Sequence, residues 1–178
     1  MVNAIPHAKA LLNLVRSGWL LRGVPRFLAE TVAEHTFLTA YICIELSNRI
    51  QDVDVGKAVL YSLIHDIGEA FIGDITKTVS ERLGGLKERM EEDLVTKNID
   101  NKLIVKFYKK YMSQRDFEAR LVKLCDRIST FLMAMKYKRL GYKVDDIVEN
   151  VYKEVEEMSK SLGVEDKVKN LLRELEDL

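Results

Sequence analysis

The sequence predicts an all-α fold, one compact helical domain, and three observations carry that reading. Apolar residues recur at helical spacing nearly throughout, with no alternating runs to suggest a sheet. Only two prolines and nine glycines occur in 178 residues, so long stretches are free of helix breakers. Apolar residues make up 47% and charged residues 31%, enough to build a core rather than a disordered chain. No internal repeat, low-complexity tract or linker divides the chain.

Helices are expected over 6–17, 34–49, 55–67, 80–98, 101–112, 115–140, 144–161 and 164–177. The first begins at Pro6, with His7 next to it. In 34–49, His35 lies in line with Leu38, Thr39, Ile42 and Leu46, which puts it on the inward stripe. The segment "VGKAVLYSLIHDIGEAF" is apolar on nearly every face, as a buried helix is. In 115–140, Asp126 borders the apolar surface formed with Val122 and Met133. Val144, Val148, Val151, Val155, Met158 and Leu162 follow heptad spacing over too short a span for a coiled coil, so 144–177 reads as helices covering the core. Two irregular pieces interrupt the helices: 17–31, broken by Gly18, Gly23 and Pro25, and the stretch from Gly68 through "GDITKTV". Loops on a helical scaffold are where binding groups collect.

Lys+Arg and Asp+Glu number 28 each, and a net charge of zero argues against a nucleic-acid partner. Cys43 and Cys125 sit in apolar helical segments at no metal or disulfide spacing, which suits buried thiols in a reducing compartment. No signal-peptide pattern opens the chain, and no apolar stretch reaches the ~18 residues of a membrane span. A soluble, cytoplasmic protein without a membrane partner is expected.

The polar groups of "HDIGEAFIGD", residues 65–74, stand in an otherwise apolar or glycine-containing run. A His-Asp dipeptide alone is weak, because a histidine satisfied by a backbone carbonyl is a common core feature. Four inward polar groups together need more, since a buried carboxylate costs several kcal/mol unless paired, protonated or bound to a cation. His35, His65, Asp66 and Asp126 all fall on such faces, and two imidazoles with two carboxylates form a neutral shell for a divalent ion. Mixed N/O donors suit Mn, Co, Fe, Ni or Zn. Glu69 shares the face of His65 and Asp66 a turn further on, where it suits handling water or protonating a leaving group. Asp74 lies beyond Gly73 near the same rim. Without that cluster, Glu69 reads equally as a solvated helix-end carboxylate and Asp74 as a turn residue.

His35, "HD" at 65–66 and Asp126, with Glu69 and Asp74, resemble the HD-domain metal-dependent phosphohydrolases. The segments "GWLLRGV", "ETVAEHTF", "HDIGEAFIGDI" and "KLCDRI" are similar to those of the HD-domain 5′-deoxynucleotidases. The resemblance implies a single HD domain over 1–178, with a metal-binding core at about 10–140 and covering helices at about 144–177. It implies a metal site between central helices and hydrolysis of deoxyribonucleoside 5′-monophosphates to deoxynucleosides and phosphate. His35, His65, Asp66 and Asp126 would hold the divalent ion, with Co, Mn, Fe, Ni, Zn and Mg all open. Glu69 and Asp74 would be the acid/base and water- or leaving-group-positioning carboxylates, and with the Ile75 carbonyl they could hold a second, weaker ion. Trp19 matches a family tryptophan, and the phosphate-orienting arginine is either Arg16 or Arg22. Lys77 is a further candidate for phosphate or for a plain surface charge, and Trp19 suits stacking on a base or anchoring the core. Members with dinuclear centres carry extra histidines, and only His7 is spare, so one tightly held ion is expected. The resemblance also implies a homodimer. Competing readings are another HD hydrolase, acting on an alarmone, a nucleoside triphosphate or a cyclic nucleotide, and a non-catalytic nucleotide-binding HD module.

Overall fold

Side-chain caps set most of the long helix starts. In the computed structural model, which describes residues 3–176, eleven helices occur among the described residues. Helix α1 is Ile5–Leu11, with Pro6 in its first turn, and α2 is Ser17–Leu20. Thr31 and Glu34 form a reciprocal capping box that starts α3, Val32–Ser47. Asp54 caps α4, Val55–Ile64, and is followed by the short α5, Glu69–Ile72, and α6, Lys77–Leu83. Helix α7 is Leu86–Asn98; Asn101 caps α8, Lys102–Ser113; Asp116 caps α9, Phe117–Arg139. Helices α10, Asp145–Leu162, and α11, Glu165–Glu176, are separated by Gly163 in a left-handed conformation. Among the described residues the extended pairing is a lone antiparallel bridge between Val15 and Thr31, so the all-α class holds.

Helix α9 is the spine. Helix α10 packs along it, as do α3 and α4, which also pack on each other. The main core joins Cys43 and Leu46 of α3, Tyr61 of α4 and Leu121, Leu124 and Ile128 of α9 to Val151 and Val155 of α10 and Leu171 of α11. Each fully buried side chain of this size contributes about 1.5–3 kcal/mol. A second cluster gathers Ile64, Ile67, Val95 and Tyr108 under the turn that follows α4, and a third surrounds Trp19 with Val24, Ala134, Tyr137 and Val144. These two cores brace the two irregular segments that the sequence marks.

Several boundaries differ from expectation. Helix α1 stops at Leu11 because the following backbone pairs with the segment before α3: Val32 N–H donates to the Leu14 carbonyl at 2.8 Å and Arg16 N–H to Glu30 at 3.0 Å. The helix expected over 55–67 ends at Ile64 with His65 as its C-cap. The helix expected over 80–98 is divided between α6 and α7, since Gly84 and Gly85 both adopt positive φ. Both irregular segments contain a four-residue helix, α2 and α5. Residues 1–2 and 177–178 of the expected domain, with the last position of the expected final helix, lie outside the described residues. No helix among the described residues is long and apolar enough to cross a membrane.

Candidate metal centre

The capping box that starts α3 leaves His35 in its first turn, fully buried; α4 ends at His65; and Asp126 sits midway along α9. Because α3, α4 and α9 pack on one another, three distant parts of the chain meet at one point. One donor atom from each of His35, His65 and Asp126 lies within 4.8 Å of the others. His35 Nε2 is 3.1 Å from Asp126 Oδ1 and 3.9 Å from Asp66 Oδ2, and His65 Nε2 is 3.1 Å from Asp66 Oδ2. All four residues expected to hold a metal are therefore brought together, Asp66 being the half-buried one.

The local hydrogen bonds orient these donors. His65 Nδ1 donates to the Ser62 carbonyl one turn back at 2.7 Å, which turns Nε2 inward. Among the described residues that buried Nε2 makes no properly aligned hydrogen bond, although Asp66 is near. Burial, and then the Arg16 cation, push the His35 pKa down. Burial disfavours a charged His65, but the Asp66 carboxylate outweighs it and raises His65 to about 9. Burial alone would raise Asp66, and the charge of His65 instead holds it well below the usual carboxylate range. Asp126 is likewise held low against burial, by Arg127 and then by His35. Two imidazoles and two ionised carboxylates around an inward, unpartnered nitrogen fit a divalent cation.

At the rim, Arg16 is the one of the two candidate arginines brought up to the imidazoles. Its Nη1 lies 2.7 Å from His35 Nδ1 and 3.3 Å from both Glu30 Oε1 and Thr130 Oγ1. Burial opposes its charge, but Glu30, Asp126, Asp74 and Asp66 together hold it firmly protonated. Arg22, the other candidate, is exposed and forks onto Asp146 at 2.8 and 2.5 Å. Trp19 is buried, its ring 5.0 Å from that of Tyr137 and its Nε1 donating to Glu30 at 2.9 Å, so it anchors the core and steadies Arg16 through the shared carboxylate. Asp74 is drawn to the same rim, since Ser17 N–H donates to its Oδ2 at 2.6 Å and the Ser17 hydroxyl lies against the same carboxylate. Lys77 is exposed and pairs with Glu154 of α10. Ile75 lies in the loop between Asp74 and α6. His7 stacks on Phe71, with ring centroids 4.4 Å apart.

Glu69 opens α5 and is buried. Its Oε1 is 3.0 Å from Lys87 Nζ, which also lies 3.4 Å from Glu91 Oε1. Burial and then the Asp66 charge raise the Glu69 pKa well above normal against the opposing Lys87 cation. The loop before it is clamped by close packing: a Cβ on Gly68 would fall 2.7 Å from both Glu91 Cβ and Tyr108 Oη. Sequence reasoning missed Glu30, Lys87, Glu91 and Arg127. Glu30 carried a usable signal, an acid that follows the apolar run Phe27, Leu28 and Ala29 just before the capping box; Lys87 and Glu91 look like ordinary surface helix charges.

The chain is 28% identical over 141 residues to the 5′-deoxynucleotidase HDDC2 of Danio rerio, an alignment covering 75% of this chain and 67% of that one. It is 26% identical over 144 residues to its Homo sapiens namesake, covering 75% and 66%. The chain thus spans about two thirds of the length of these relatives. Among solved structures, a conserved hypothetical protein from Pyrococcus furiosus superposes with a TM-score of 0.80 at 27% identity, covering 98% of both chains. The sequence model described as HD domain matches residues 8–164, spanning every residue of the cluster, and the chain belongs to the HD domain family.

Proposed function

We propose that the protein is a metal-dependent phosphomonoester hydrolase that converts deoxyribonucleoside 5′-monophosphates to deoxynucleosides and phosphate. The observation that carries this reading is the convergence of His35, His65, Asp66 and Asp126 with the Arg16 guanidinium beside them. The names of the relatives support the substrate class. His35, His65, Asp66 and Asp126 would hold the ion, with Co, Mn, Fe, Ni, Zn or Mg to be distinguished by metal analysis. A divalent ion held there would polarise a phosphoryl oxygen and lower the pKa of bound water.

The chain's own groups supply the rest. Arg16 offers a guanidinium fork to phosphate oxygens, compensating charge as the monoester breaks. Glu69, its proton affinity raised by burial, is suited to protonate the leaving 5′-oxygen, and Asp74 to orient water and substrate at the rim. Glu69, Asp74 and the Ile75 carbonyl are the candidates for a second, weaker ion. The Lys87 ammonium on Glu69 already supplies positive charge there, which favours one ion per chain. We further propose a homodimer, and a cytoplasmic setting supported by two buried free thiols.

The test is phosphate release from a panel of deoxyribo- and ribonucleoside 5′-monophosphates, nucleoside triphosphates, a cyclic nucleotide and an alarmone, with metal analysis of the same preparations. Turnover of deoxynucleoside 5′-monophosphates that disappears in Asp126→Ala supports the reading. Full metal content and activity in Asp126→Ala sinks it, and preferred turnover of another panel member reassigns the substrate.

A further inference from the structure

The two oxygens of Asp126 have different partners. Oδ1 faces His35 Nε2 at 3.1 Å, whereas Oδ2 accepts from Arg127 Nη2 at 2.8 Å. Neighbouring residues on a helix diverge by about 100°, so Arg127 bends back over its own neighbour to make this contact, and a second anchor meets its other terminal nitrogen. That anchor is on another element: Glu154 of α10 lies 3.7 Å from Arg127 Nη1 and at the same time pairs with Lys77 of α6. Arg127 Nε is buried and without a hydrogen-bond partner among the described residues, so the two carboxylate contacts are made by the terminal nitrogens alone.

We propose that Arg127 is a positioning residue of the metal centre: it holds Asp126 Oδ2 so that Oδ1 faces the imidazoles, and Glu154 holds Arg127. The inference rests on the metal-dependent reading above. It makes α10 part of the centre as well as a cover for the core, and it gives Lys77 a place at the outer end of the same strap. The sign of the effect separates positioning from simple charge balance. An arginine that only neutralised Asp126 would repel and compete with a divalent ion, so its removal would leave metal affinity unchanged or raise it. A ligand that loses its orienting partner binds metal less well, typically by about 10–100-fold.

The experiment measures Mn²⁺ and Co²⁺ affinity of the full chain by competition with a chromophoric chelator, together with the Co²⁺ ligand-field spectrum. Arg127→Met, Arg127→Lys, Glu154→Gln and Asp126→Ala are compared, with helical circular dichroism recorded for each. Arg127→Met is expected to weaken binding roughly 10–100-fold and to change the Co²⁺ spectrum. Arg127→Lys should recover part of the loss, and Glu154→Gln should show a smaller weakening. Wild-type or tighter affinity in Arg127→Met, with binding lost in Asp126→Ala, overturns the inference while leaving the metal centre standing. Wild-type affinity in Asp126→Ala overturns both. If Arg127→Met does not fold, wild-type affinity in Arg127→Lys and in Glu154→Gln overturns the positioning role, and weakened binding in both supports it.

Discussion

Arg16 Nη1 lies 2.7 Å from Nδ1 of His35, which sets a guanidinium against an imidazole of the candidate metal centre. On the function proposed above, Arg16 would meet the phosphate beside the cation, while Arg22 is held on the surface by Asp146. Loss of a hydrogen bond to a charged group costs about 1.5–3 kcal/mol. Arg16→Ala should therefore lower kcat/KM for a nucleoside monophosphate by roughly 10–100-fold, whereas Arg22→Ala should change it by less than about 0.5 kcal/mol. Steady-state kinetics of the two variants checks this, and equal losses would remove Arg16 from its role.

Three buried donors that meet within 4.8 Å bind metal only when folded together, so metal should stabilise the fold. A divalent ion at ~100 times its Kd adds about 2.7 kcal/mol, and 1 kcal/mol corresponds to about 2–4 °C for a chain of this length. Thermal unfolding with added Mn²⁺ should be several degrees higher than with a chelator. Asp126→Ala should show no such difference, and a retained difference would mean that the ion binds elsewhere.

Glu91 is buried beside Lys87, and burial outweighs the lysine to push its carboxyl from 4.5 up to about 7. The native state then keeps a proton that the unfolded chain has released, so this group makes the protein less stable as pH rises from 4.5 to about 7. The full effect is on the order of 3 kcal/mol and persists at higher pH. Glu91→Gln should flatten that decline, being worth little at low pH and stabilising at ~pH 8. Urea unfolding at ~pH 5 and ~pH 8 measures it; parallel pH dependences in the two proteins would contradict it.

Gly68 is required for close approach rather than for an unusual φ, because a Cβ there meets Tyr108 Oη and Glu91 Cβ at 2.7 Å. Gly68→Ala should cost about 1–3 kcal/mol by overpacking. Since Gly68 directly precedes Glu69, turnover should fall further than stability alone explains. Calorimetry and kcat on the folded variant check both, and unaltered values would show that α7 yields freely.

Much of the candidate site was legible because helical periodicity reports which side of a helix faces inward. His35 follows the stripe of Leu38, Ile42 and Leu46, and Asp126 that of Val122, so both could be assigned to buried faces without knowing their neighbours. Glu69 was found the same way, by its spacing from His65 and Asp66. The break at Gly84 and Gly85 was missed because the apolar pattern continues across it, and only the positive φ angles turn one expected helix into two.

The sequence by itself therefore determined the all-α class, the inward faces and the residue types of a metal shell, since burial of polar groups among apolar neighbours is a local property of each helix. Tertiary structure alone decided which helix meets which. It set Arg16, and not Arg22, beside the imidazoles although the two flank the same tryptophan, because the Val15–Thr31 bridge and the Glu30 carboxylate turn one inward while Asp146 holds the other out. It also brought Lys87 to Glu69 and Glu154 to Arg127. Such pairings join residues far apart in the chain through the reach of long side chains, and no periodicity within a single helix encodes that distance.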